Sequence, residues 1–118
     1  MDLKYYKEQT IENVITPMIE FMEEWDDCDY TREDVQRCHE RIDSYLEALD
    51  AMSEPDDEAI MEQVRELILD LNELNDAAGY SLIETDAREE ICEIIQNSAI
   101  DRGLQNYSDD ITEEWREW

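Results

Sequence analysis

Residues 58–74, "EAIMEQVRELILDLNEL", decide the fold. Ile60, Val64, Leu67, Ile68, Leu71 and Leu74 recur at intervals of three and four, the spacing of one face of an α-helix. The opposite side carries Glu58, Glu62, Glu66 and Asp70 in an unbroken i, i+4 column. A helix with one apolar face needs partners to cover it, so the rest of the chain should supply further amphipathic helices.

It does so on both sides. Upstream, from about residue 31 to 52, Val35, Cys38, Ile42, Tyr45, Leu46, Leu49 and Met52 form a three-four seam, opened by Thr31 with Asp34 three positions on, close to a capping box. Before that, Ile11, Val14, Ile15, Met18, Met22 and Trp25 recur in helical register over about residues 3 to 25. Pro17 interrupts this run, which predicts either a kinked helix or a break with Thr16 as a new cap. Between these helices and the opening stretch, Ser53 is the expected cap, with Pro55 in the first turn.

Downstream, Gly79 reads as a terminator, and Leu82 and Ile83 should tuck under the core. Thr85 or Asp86 should cap a fourth helix with Ile91, Ile94, Ile95 and Ala99 inside, ended by Gly103. Asp110 and Glu113 suggest a last short helix, with Ile111, Trp115 and Trp118 on one face, docked across the open end of the bundle. No segment alternates with the period of a strand. The expected fold is therefore all-α: four main antiparallel helices in an up-and-down bundle with a short C-terminal capping helix, in a single helical domain over residues 1–118.

Composition narrows the partners. Thirty-five acidic residues face nine basic ones, a formal charge of −26, yet 42% of the residues are hydrophobic, enough for a packed core. Such a surface repels nucleic acid and anionic lipid and attracts basic proteins. No stretch approaches the roughly 20 apolar residues that span a bilayer. Cys28, Cys38 and Cys92 are odd in number and lack metal-site spacing, which suits reduced thiols in a cytoplasm.

The familiar catalytic and metal-binding patterns lack parts. Asp26, Asp27 and Asp29 lie in "DDCDY", but a calcium loop counted from Asp27 would have Arg32 where glycine belongs and Cys38 where glutamate belongs. His39 is the only histidine, and one helical step separates it in direction from Cys38. Two glycines do not build a phosphate loop. "EEICE", Glu89, Glu90 and Glu93, resembles the first half of the acidic magnesium motif of the all-helical nucleotide pyrophosphohydrolases; that resemblance implies Mg²⁺-dependent cleavage of nucleoside triphosphates. It needs a second acidic pair, for which Asp110 with Glu113 or Glu114 is the candidate, although the nearest segments read "DITE" and "EWRE".

The charged column draws a different expectation. Like charges at i, i+4 cost about 1 kcal/mol over four residues, so their retention suggests a surface offered to a cationic partner. Glu58, Glu62, Glu66 and Asp70, with Asp26, Asp27, Asp29 and Trp118, are the expected partner-binding residues. In size, charge and helicity the chain is similar to the acidic immunity proteins of nuclease bacteriocins, though Tyr5 and Tyr6 are followed by Lys7 where that family has proline. The expectation is a small, cytoplasmic, non-enzymatic binding protein without cofactor or metal, monomer or homodimer, of immunity or inhibitor type. Its partner would be a basic protein such as a nucleic-acid-binding enzyme or toxin, with neither nucleic acid nor membrane bound. The alternatives are the pyrophosphohydrolase-like enzyme and a salt-adapted helical protein whose charge serves solubility.

Overall fold

The computed structural model describes residues 1–118 and contains helices, turns and no strand. Its elements are α1 (Leu3–Thr10), a π-helical turn (Ile11–Ile15), α2 (Thr16–Glu24), α3 (Arg32–Ala51), α4 (Asp57–Ala77) and α5 (Thr85–Asp101). The first three join into one rod, which with α3, α4 and α5 makes an antiparallel four-helix bundle. Around it the rod packs on α3 and α5, and α4 also packs on α3 and α5, so the rod and α4 occupy opposite corners. No helix is long and apolar enough to cross a membrane.

Pro17 neither breaks nor caps the first helix. Ile11, Ile15 and Thr16 all keep right-handed helical angles, and the Thr16 N–H donates to the Ile11 carbonyl, five residues back. The proline ring cannot accept the ordinary fit against the carbonyl four residues earlier, and the wider turn immediately before it supplies the extra room. That turn shifts the helical phase. Val14, Ile15 and Met18 enter the core with Tyr6 and Thr10, whereas Ile11 and Trp25, both expected inside, stand 43% and 56% exposed. Thr10 is fully buried and its hydroxyl donates to the Tyr6 carbonyl at 2.9 Å.

The second start signal is confirmed in both directions: the Thr31 N–H donates to Asp34 Oδ2 at 2.9 Å, and the Asp34 N–H donates to Thr31 Oγ1 at 3.2 Å. The seam from Val35 to Leu49 is buried within the chain. Ser53 is not the cap of α4. Glu54 has a positive φ of 48°, which a right-handed helix cannot absorb, and Asp56 caps instead by accepting from the Ala59 N–H at 2.8 Å. Gly79, at φ 70°, lets the Tyr80 N–H return to the Asn75 carbonyl at 2.8 Å, closing α4. Leu82 and Ile83 are buried as expected. The start of α5 lies one residue earlier than read: Glu84 is its N-cap, without a side-chain capping bond.

The C-terminal stretch departs most from expectation. It forms turns over residues 111–115 rather than a helix, consistent with a segment too short to recover the cost of helix nucleation. Nor does it cover an end of the bundle. Asp57 at the start of α4 accepts the Gln105 and Asn106 N–H groups, at 2.9 and 3.0 Å. Gln96 of α5 donates to the Ser108 carbonyl at 2.9 Å and accepts the Ile111 N–H at 3.0 Å. Asn72 of α4 then holds Trp115 and Glu117. Residues 104–118 are thus a strap running down the α4–α5 seam. Ile111 is buried, Trp115 and Trp118 are half-buried against the core, and Arg116 lies 5.5 Å above the Trp118 ring.

Candidate functional site

The acidic column lies where its register places it. Glu58, Glu62 and Glu66 are exposed on the outer face of α4 and Asp70 is half-buried. Its cationic neighbours are few: Arg65 stands 3.4 Å from Glu62, and Arg41 of α3 stands 3.9 Å from Asp70. Solvent-exposed pairs of this kind contribute at most about 1 kcal/mol, so the column keeps most of its field. It lines neither the groove nor the depression described below. Asp26, Asp27 and Asp29 are exposed in the loop between α2 and α3, and Trp118 lies on the strap, half-covered by Arg116. The eight expected residues therefore occupy three separate places.

Two acids of "EEICE" do not meet the second acidic pair. Glu89 and Glu90 turn toward α2, while Asp110, Glu113 and Glu114 line a shallow depression beside Met61 and Tyr107. Asp110 is already engaged by Thr112 and by Arg116, whose Nη2 donates to it at 2.9 Å. No three His, Cys, Asp or Glu side chains are placed to hold a metal ion together. The shared cation that the pyrophosphohydrolase resemblance requires has no cradle.

What the tertiary structure does assemble is a groove of about 580 Å³ between the first rod and the beginning of α5. The π-helical turn contributes Glu12, Asn13 and Val14, and α2 contributes Pro17, Met18 and Phe21. Tyr30 comes from the loop before α3; the opposite wall is the connector 81–84 with the first residues of α5. Val14, Met18, Tyr30 and Leu82 are buried and make an apolar floor. The Tyr30 hydroxyl donates to the Met18 carbonyl at 2.9 Å, and burial pushes this phenol up from its ordinary value, so the ring is a fixed, neutral part of that floor.

The rim is anionic. Glu12, Glu84, Asp86 and Glu89 are exposed and Glu90 is half-buried, and no lysine, arginine or histidine lines the groove. Beside it, Phe21 stacks on Tyr30 with centroids 6.2 Å apart and meets Trp25 at 6.0 Å. Phe21 is 42% exposed, so this pair of aromatic rings forms a ledge continuing the floor outward. Apolar surface of this kind, edged with charge, is the ordinary composition of a protein-binding site.

Sequence reading missed this groove because its acids come from two segments some seventy positions apart. One local signal did exist: Phe21, the only phenylalanine, stands three positions after Met18 and four before Trp25. No protein-family model, curated protein or solved structure matches the chain.

Proposed function

We propose that this chain is a small, acidic, non-enzymatic binding protein that engages a basic protein, in the manner of an immunity or inhibitor protein masking the positive surface of a nucleic-acid-binding enzyme or toxin. The observation that carries the reading is the groove, which combines an apolar floor with five carboxylates and no base. A purely solubilising charge has no need of a concave apolar centre or of two exposed aromatic rings beside it. The α4 column and the acids at 26, 27 and 29 extend the negative field over other faces, where they act at long range by steering a cationic partner. Three unpaired thiols suit a cytoplasmic setting.

The test is capture on the immobilised chain at low and physiological salt, followed by reconstitution of any captured basic protein with both components purified. The expected result is a one-to-one complex that survives physiological salt and weakens steadily as salt rises. Basic proteins held only at low salt, with no complex on reconstitution, would reduce the charge to a solubility feature.

A further inference from the structure

The groove also restricts what its occupant can be, an inference that rests on the binding reading and sharpens it. Its walls are the first rod, the connector 81–84 and the first turns of α5, and none of them is a β-strand. A bound extended strand would find no sheet edge to pair with. A helix satisfies its own backbone and needs only a complementary side-chain surface, so the geometry fits the helix-in-groove mode of recognition.

Charge selects further. A second copy of the chain would bring another −26 against the rim, and nucleic acid or anionic lipid would be repelled in the same way. A small polycation could satisfy the carboxylates but would leave the ledge of Phe21 and Trp25 uncovered. We infer that the groove receives a basic amphipathic helix of the partner, which seats an apolar side chain on the floor around Met18 and Leu82 and places arginine or lysine side chains among Glu12, Glu84 and Glu90. Guanidinium groups that overshoot the rim can lie on the exposed faces of Phe21 and Trp25. The remote α4 column governs approach, and the groove governs residence.

The experiment measures binding of a fluorescein-labelled helical peptide of leucine and arginine, amphipathic in design, by anisotropy and stopped flow. A scrambled peptide of equal charge without an apolar face is the control, and spermine is the competitor. Two variants remove equal charge at the two sites: Glu12→Gln/Glu84→Gln/Glu89→Gln/Glu90→Gln in the groove, and Glu58→Gln/Glu62→Gln/Glu66→Gln/Asp70→Asn on the column. Circular dichroism confirms that both remain folded.

The amphipathic peptide should bind more tightly than the scramble. The groove variant should weaken it about tenfold, mainly by faster dissociation, while the column variant should mainly slow association. Phe21→Ala/Trp25→Ala should weaken binding without any change of charge. Equal losses in the two charge variants, or equal binding of the scramble, overturn the groove as the docking site. Full displacement by spermine at matched charge, with Phe21→Ala/Trp25→Ala neutral, overturns it in favour of a small-polycation site. If a reconstituted basic protein ignores the groove changes, the inference fails while the binding reading stands; if neither the peptide nor any basic protein binds, both fail.

Discussion

The side-chain amide of Asn72 donates to the main-chain oxygen of Trp115 at 2.8 Å, forty-three positions along the chain, and the same amide accepts the Glu117 N–H at 3.0 Å. One planar group thereby completes two backbone positions of a segment that has little regular structure of its own. Asn72 is buried. Asn72→Ala removes both bonds and should cost about 1–3 kcal/mol, read as a lower urea midpoint and as faster proteolysis within residues 104–118. Asn72→Asp should be at least as damaging, because a second acceptor then faces the Trp115 oxygen. Unchanged protease resistance in both variants would show that apolar contacts alone hold the strap.

The upper end of the strap provides a pH-dependent anchor. Hydrogen bonds from the Gln105 and Asn106 N–H groups hold the Asp57 carboxyl below its ordinary value. At Asp110 burial pushes the pKa up, but bonds from Thr112 and Arg116 together outweigh it and the net shift is also downward. A carboxyl whose folded pKa is depressed contributes stability that is full above its unfolded value, about 3.9, and is lost as pH falls through the folded value. The stability gap between wild type and Asp57→Asn should therefore be open at neutral pH and close below about pH 4. A gap that persists unchanged in acid would assign the effect to geometry instead of charge.

Buried phenols set the alkaline limit. Burial, then the Asp101 carboxylate that accepts its hydroxyl at 3.1 Å, pushes Tyr6 up to about 12. Burial pushes Tyr45 up as well, and its hydroxyl meets the Ile95 carbonyl and Ser98. Because the folded values exceed the unfolded one of about 10, stability from these groups is complete below pH 10 and declines as pH rises further. Tyrosinate absorbance from the buried rings should appear together with loss of helical dichroism, and Tyr6→Phe should move that transition to higher pH.

Self-repulsion along α4 should respond to salt. Replacing Glu66 by Lys converts two unfavourable i, i+4 neighbours, Glu62 and Asp70, into favourable ones, for a gain of about 0.5–1 kcal/mol at low salt. That gain should shrink at physiological ionic strength, where charges beyond about 8 Å are screened. Thermal melts at two salt concentrations measure it, and a gain independent of salt would point to helix propensity.

The uncapped start of α5 offers a test of whether the groove trades stability for function. Glu84 makes no side-chain cap, and Glu84→Ser supplies a hydroxyl to the free N–H groups of the first turn, for an expected gain of about 0.5–1 kcal/mol. The same change removes a rim carboxylate, so binding of the basic peptide should weaken as the melting temperature rises. A stabilised variant with undiminished binding would remove Glu84 from the docking surface.

The amino-acid sequence by itself determined the four main helices, most of their inner faces and most of their ends. Those features depend on residues no more than a turn or two apart, as in the Ile60 to Leu74 stripe, the Thr31–Asp34 box and the positive φ of Gly79. It also located the α4 acids on an exposed face, since a column opposite an apolar stripe has nowhere else to go. Only the tertiary structure decided the phase shift before Pro17, the path of the strap and the existence of the groove. The π-helical turn is a compromise between a proline and a core that needs Tyr6 and Thr10 on the same side as Val14 and Met18. The strap follows side-chain amides at Asn72 and Gln96 that carry no periodic signal. The groove joins Glu12 and Val14 to Leu82, Glu84 and Glu90, and no local rule of spacing connects side chains brought together by the packing of the first helix against the last.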